Sequence, residues 1–392
     1  MAFGPEERKT LALIASLYLV RMLGLFMVLP VLSLFGENLY GATPFLVGMA
    51  LGIYGLTQAI FQIPFGWASD RFGRKPMLLL GFALFVIGGL ICAASDSIYV
   101  LLLGRAVQGA GAVSAVLLAL LADKTTDQQR TTAMAIVGAT IGVSFGLAVI
   151  LGPAVANAVG LSGLFIFTSV LGLLAFGMVL FAVTGAGRPS RVSQKGSVVA
   201  IMKDVSLLRL DISIFSLHFL QMCIWVAVPA ILLNQLTVPL ENHWLIYLAT
   251  VGGGFVLMLP YMRKADKRGQ VEHAMRVAIS VLAISLLCLS FSWSKWLFFG
   301  GLLAFFWAFN LLEATLPSAL TRAVDPSVKG TASGVYSTCQ FLGAFLGGTF
   351  GGWLVGFPNS AVIFYFSACF AVFWLCLMIF SGNSRPKEAT PS

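Results

Sequence analysis

Three ionisable side chains sit deep inside long apolar runs of this sequence: Arg21, Arg105 and Glu313. A charge buried at such depth costs about 2.5–3.5 kcal/mol on insertion scales, so each should face protein or a water-filled cavity. A carboxyl group in a low-dielectric cavity holds its proton more tightly than in water and can load and release it near neutral pH. Glu313, with Asn310 one turn back and Trp307 near the same stripe, is therefore the candidate proton-handling group. Arg21, with Tyr18 one turn earlier, is read as its cationic partner; the alternative is a purely structural glutamate paired to another cation. Arg105 has Gln108 one turn on, on the same face. One reading of it is a structural arginine bonded to backbone carbonyls.

Two further stripes carry polar and aromatic groups. His218, Gln221 and Trp225 stand at i, i+3 and i+7, and Tyr54, Gln58 and Gln62 at four-residue intervals. Such faces suit an amphipathic cavity for a partly hydrophobic small molecule, although hydrogen-bond glue between helices explains each residue singly as well. Enzyme chemistry has no foothold. The chain has no P-loop, HExxH or GxSxG, only three histidines, and six cysteines with no CxxC pair. Neither a cofactor, a metal site nor a disulfide framework is expected. Energy would come from an ion gradient, worth about 2.3 kcal/mol per charge for each 100 mV.

The elements that must position these groups follow from composition. Hydrophobic residues make up 59% of the 392 and charged residues 10%, too few polar side chains to cover a water-soluble surface. Lipid is the expected solvent. The net charge of +9 is spread as short basic clusters between apolar runs, which argues for loops at one membrane face and against a nucleic-acid surface. Runs of about 20 apolar residues fall near 11–35, 45–68, 77–95, 98–121, 131–156, 162–184, 210–236, 243–262, 274–293, 296–320, 331–356 and 360–381. The reading is an all-α membrane protein of twelve transmembrane helices. The first run is long enough to be a retained helix and not a cleaved signal. With the N-terminus inside, 21 Lys and Arg residues fall on inward segments and only Lys295 outward, so both termini are expected in the cytoplasm.

The polar stretch 185–208 divides the chain nearly in half and reads as a cytoplasmic linker between six-helix bundles at 1–184 and 209–381, with a cytoplasmic tail at 382–392. Duplication supports this. Ala68-Ser69-Asp70-Arg71-Phe72-Gly73 is echoed 196 positions later by Ala265-Asp266-Lys267-Arg268-Gly269. Gly138, Gly142 and Gly146 are likewise echoed by Gly343, Gly347 and Gly351. Internal repeats of this kind belong to transporter halves. Small residues at every fourth position should let helices pack closely and seal one bundle against the other.

The segment from Gly66 to Pro76, GWASDRFGRKP, closely resembles the cytoplasmic signature between the second and third helices of the major facilitator superfamily. Leu102 to Gly109, LLGRAVQG, resembles the family's arginine-bearing fourth-helix motif. Gly152-Pro153 resembles the end of the fifth-helix motif of the drug/proton antiporter branch, although Ala148, Ala156 and Asn157 stand where that pattern prefers glycine. The segments 21–30 and 310–317 carry a nearer resemblance, to YajR-like bacterial transporters, some of which continue into a small cytosolic domain that this chain is expected to lack.

The resemblance implies a major facilitator fold whose first, fourth, seventh and tenth helices line a central cavity, and all three intramembrane charges lie on that set. It implies a cytoplasmic latch of Gly66, Asp70, Arg71, Gly73, Arg74 and Lys75. Asp70 would hold a helix N-terminus of the other bundle, while Arg71 and Arg74 would pair with acids such as Asp123. Proton coupling falls to Glu313, Arg21 and Arg105. The substrate-binding set is Tyr18, Tyr54, Gln58, Gln108, His218, Gln221, Trp225, Trp307 and Asn310. The implied function is proton-driven efflux of small amphipathic or drug-like solutes by a monomer in the bacterial inner membrane, with solute, protons and lipid as partners. The degraded fifth-helix motif leaves open a proton-coupled symporter for a sugar or organic metabolite. A transport-dead sensor or scaffold is the alternative of another class.

Overall fold

The computed structural model describes residues 4–125, 127–183, 203–324 and 328–380. In chain order the helices are α1 (Pro5–Phe26), α2 (Leu29–Phe35), α3 (Pro44–Phe72), α4 (Arg74–Ala93), α5 (Ile98–Ala110), α6 (Val113–Lys124) and α7 (Asp127–Ala182). Then come α8 (Val205–Asn234), α9 (His243–Tyr247), α10 (Gly253–Lys267), α11 (Val271–Leu289), α12 (Lys295–Ala323), α13 (Lys329–Val355) and α14 (Val362–Phe380).

Local chemistry sets their ends. Thr43 caps α3 by accepting from the Leu46 N–H at 3.2 Å, with Pro44 in the first turn, where a missing N–H costs nothing. Asp204 caps α8 by accepting from the N–H groups of Ser206 and Leu207. This start lies inside the stretch read as a linker, so 205–208 belong to a helix; the rest of that stretch up to 202, and the 382–392 tail, lie outside the described residues. Gly73 (φ +97°) ends α3 in a conformation only glycine takes easily, and Gly269 (φ +64°) does the same after α10. The duplicated loops thus share their turn chemistry as well as their sequence.

Among the described residues, ten helical stretches are long and apolar enough to cross a bilayer. The twelve expected from the sequence differ in two places. The fifth and sixth runs form one stretch, Thr132–Ala182, whose helix is broken only by the non-helical backbone of Gly160. The eleventh run, α13, is a full helix of 27 residues, but glycine, serine and threonine dilute its apolar content and keep it out of the ten. Tyr40, Trp293 and Trp296 stand exposed toward one end of the helices, and Trp67, Phe72 and Phe181 toward the other. Aromatic side chains of this sort favour the lipid–water boundary.

Two hydrophobic cores organise the helices. One lies wholly within α1–α7 at the end that carries Asp70. The other runs from the opposite end of that half straight into α8–α14. The halves are therefore fused at the end remote from Asp70. The seam is backbone against backbone. A methyl group on Gly52 of α3 would stand 2.5 Å from the Phe345 carbonyl oxygen of α13, and one on Gly55 would stand 2.7 Å from that of Phe341. Gly48 meets Gly348 and Gly352 in the same way.

The expected glycine seal is corrected by these contacts. Gly343 and Gly347 press on the carbonyls of Phe215 and Phe219 in α8, within their own half. Around Gly138, Gly142 and Gly146, apart from their own stretch of helix, nothing among the described residues lies within 4 Å of where a side chain would begin. Four-residue spacing defines a helix face but does not say what that face meets.

Candidate functional site

In the first half, α1, α3, α5 and α6 bring one polar cluster together. Arg21 (1% exposed) donates to Ser114 Oγ at 2.6 Å, to the Tyr54 hydroxyl at 3.1 Å and to Gln58 Oε1 at 2.9 Å. Gln58 passes the chain on to Gln62 at 3.0 Å. Arg105 (0% exposed) donates to Gln108 Oε1 at 2.7 Å and to the Ala50 carbonyl at 3.3 Å, and its guanidinium lies 4.9 Å from the Tyr54 ring centre. Tyr54 thus stands between the two arginines. Tyr18 donates to the Ser114 carbonyl at 3.1 Å.

The helix that supplies this cluster is broken in the middle. Gly111 and Ala112 separate α5 from α6 with φ/ψ near −71°/66° and −74°/56°, values of successive inverse γ-turns. The N–H groups of Ala112 and Val113 accordingly donate two residues back, each at 2.8 Å. The start of α6 is thereby left inside the fold beside Arg21 and Ser114. No proline marks this break, and the sequence reading runs through it.

In the second half, α8, α12 and α13 assemble an acidic counterpart. His218 Nδ1 donates to the Ile214 carbonyl at 3.2 Å, which leaves Nε2 to accept from the Gln340 amide at 2.8 Å. Glu313 Oε2 lies 3.8 Å from the same Nε2, buried and without a hydrogen bond of its own. Asp211 (3% exposed), two turns before His218, has an unpartnered buried oxygen. Tyr336 of α13 lies within electrostatic reach of both Glu313 and Asp211.

Several expectations need correction here. Arg21 is not the partner of Glu313: it is spent on Ser114, Tyr54 and Gln58, and the residue facing Glu313 is His218. Asp211 is a fourth charge within the apolar spans, missed because it lies at the first residues of its span. Gln340 and Tyr336 were missed too, although they stand among Ser337 and Thr338 in an otherwise small, apolar helix. Trp225 is fully buried against Phe145, Tyr247 and Phe306, so it packs and does not line open space. Trp307 turns to Tyr261 at 5.3 Å. Asn310 donates to the Val251 carbonyl at 3.2 Å, within the π-helical turn Leu248–Gly252, where widened geometry frees carbonyl groups. Gln221 is buried on α8.

Between the clusters stands an aromatic plug. Phe145 of α7 lies 6.1 Å from Trp225 and 6.3 Å from Phe309 of the other half, and 5.0 Å from Phe26 of its own. Phe309 in turn lies 6.0 Å from the His218 ring.

At the far end of α3, Arg74 is the hub of the expected latch. It reaches Asp70 Oδ1 at 2.5 Å, Ser69 Oγ at 2.6 Å and Asp123 Oδ2 at 2.8 Å. The expected pairing of Arg74 with Asp123 is thus present. Lys75 donates to the Leu180 carbonyl at 2.7 Å, tying the loop to α7. Arg71 rests over the rings of Trp67 and Phe72 and is not paired to an acid among the described residues. The Asp70 side chain is 63% exposed and bonds within its own half; among the described residues it makes no contact of this kind with the other half. Gly66 sits loosely, 3.8 Å from Ala115 to a would-be methyl group. The second half repeats the plan with the sense reversed, Arg322 of α12 standing 3.9 Å from Asp266.

Comparison with known proteins gives a family and a fold. The family model described as Major Facilitator Superfamily matches residues 14–211 and again 210–392. The chain is similar to the inner membrane transport protein YajR of Escherichia coli (strain K12), 40% identical over 377 residues, covering 95% of this chain and 83% of the relative. Among solved structures, a bacterial homolog of the human lysosomal transporter Spinster, inward-facing and occupied, superposes with a TM-score of 0.78 at 14% identity, covering 100% of both chains. The human organic anion transporter MFSD10 superposes at 0.73 with 18% identity, covering 96% of this chain and all of that one. At such identities the likeness speaks for the fold alone.

Proposed function

We propose that this chain, which belongs to the Major Facilitator Superfamily, is a proton-coupled exporter of small amphipathic solutes in the bacterial inner membrane. That it is a secondary-active transporter of small molecules and not an enzyme follows from the family. Direction and coupling are the proposal. We read twelve crossings in two bundles, counting α7 as two across Gly160 and adding α13. Both termini lie in the cytoplasm on the charge bias, and one chain suffices for transport.

The observation that carries the coupling is the contact among His218, Glu313 and Gln340. In the arrangement described, His218 Nε2 is an acceptor for Gln340. A proton delivered to this nitrogen makes it a donor aimed at Glu313, and the Gln340 amide loses its acceptor. Gln340 rides on α13, the helix whose glycines form the seam with α3. Proton loading therefore acts on the element that holds the halves together. With the seam packed and Asp70 bonded to Arg74 of its own half, we read the arrangement as open at the cytoplasmic face. The opposite state needs the seam to part and Asp70 to dock across the halves.

Proteoliposomes of purified protein, loaded with a pH dye and challenged with candidate solutes, test this. A solute that drives protons against its own movement, and no longer does so in Glu313→Gln, is the expected result. Co-directional movement would replace export by symport. Binding without flux would favour a sensor.

A further inference from the structure

The proposed proton-handling pair lies in the second half and does not use the cluster in the first half. Two guanidiniums are almost completely enclosed there, and among the described residues no carboxylate comes within ion-pair distance of either. Within this cluster the buried polar atoms left without partners are Arg21 Nε, Arg105 Nη2 and Gln108 Nε2. All three are N–H donors. Enclosed cations ordinarily occur paired, because an unpaired one loses its hydration with nothing in return.

The backbone adds to the imbalance. The break at Gly111–Ala112 ends one helix and starts α6 in the interior, and Arg21 is bonded to Ser114 in the first turn of α6. A helix N-terminus carries partial positive charge, so a cation is the wrong sign to place against it. Broken helices whose N-termini point into the membrane interior are a way of holding an anionic group. Two enclosed guanidiniums, unpaired donors and an interior helix start converge around one tyrosine, and their positive charge is not neutralised among the described residues.

From this convergence we infer that the solute is an amphipathic organic anion, whose carboxylate or comparable acidic group is held between Arg21 and Arg105 with Gln108 and the start of α6. This rests on the transporter reading and narrows it to a substrate class. The aromatic side chains Phe26 and Phe145, 5.0 Å apart between ring centres, would cover the apolar body. Tyr54, Gln58 and Gln62 hold the arginines in register and leave the charge requirement to the ligand.

The test uses the full chain purified in detergent and three probes of one shape: phenylacetate, phenylacetamide and phenethylammonium, at matched ionic strength. Melting temperature is followed by tryptophan fluorescence. Phenylacetate alone is expected to raise it, in the natural sequence and in Glu313→Gln but not in Arg105→Gln. No rise with phenylacetate, an equal rise with the amide, or a rise that persists in Arg105→Gln overturns the inference.

A variant that needs no ligand covers the case where Arg105→Gln does not fold. Gln58→Glu puts a carboxylate where Gln58 Oε1 now stands, 2.9 Å from Arg21. It is expected to raise the melting temperature without ligand and to cancel the phenylacetate response. An unchanged or lower melting temperature would mean that the arginines are not waiting for an anion. Glu313→Gln separates the two readings. Flux lost with the phenylacetate response kept supports both, whereas a kept flux counts against the proton pair alone.

Discussion

The two halves of this transporter bury opposite kinds of charge. The first half encloses Arg21 and Arg105 with amides, hydroxyls and no acid among the described residues; the second encloses Asp211 and holds the partly exposed Glu313 against His218. An arginine keeps its charge at any pH the cell reaches, so the first cluster offers a fixed field. A carboxyl group and an imidazole exchange protons, so the second offers a field that can be switched. Fixed charge suits recognition and switchable charge suits coupling. The fold keeps them on separate helices and joins them through the α3–α13 seam, where one face of α13 meets α3 and Gln340 meets His218.

The largest effect is expected where the switch itself is removed. Glu313→Gln should abolish solute-driven proton movement, whereas Gln340→Ala should leave movement but loosen its dependence on the gradient; both are read in proteoliposomes. Next comes the seam. Gly52→Val forces a branched side chain onto the Phe345 carbonyl, where overpacking costs about 1–3 kcal/mol or more, and should favour the state in which α3 and α13 have parted. Cysteine accessibility at the Asp70 end, reduced relative to the natural sequence, would confirm it.

Arg74→Ala should destabilise by about 3 kcal/mol, since it strands the partly buried Asp123; screening at the exposed Asp70 makes that pair's share small. Thermal unfolding measures this. The smallest effect separates the two glycine sets. Gly142→Ala faces open space and should gain up to about 1 kcal/mol of helix propensity in the present arrangement, the opposite sign from Gly52→Val. A clear loss would show that the open stripe is packed after all.

Much of the site could be read before the structure, and the reasons it stopped where it did are physical. Arg21, Arg105 and Glu313 stood out because charge is rare in apolar runs. Their partners did not, since pairing depends on which helices face each other: Arg21 went to Tyr54 and Ser114, and His218, one polar residue in a stripe, turned out to face Glu313. Asp211 was hidden by the uncertainty of a span's edge. The Arg74–Asp123 pair was legible because short loops leave few geometries. The seam was not, because Gly48, Gly52 and Gly55 do not keep a strict four-residue spacing while the stripe that does, Gly138 to Gly146, meets nothing. The break at Gly111 escaped because two γ-turns need no proline.

The central claim is that protons at the His218–Glu313 pair decide which end of the transporter is closed. Spin labels on either side of the Asp70 end, one on each half, would report this directly by pulsed electron resonance at a series of pH values. The account predicts that the distance distribution shifts with pH in the natural sequence and stays fixed in Glu313→Gln. A shift of the same size in both would contradict it and place the proton switch elsewhere.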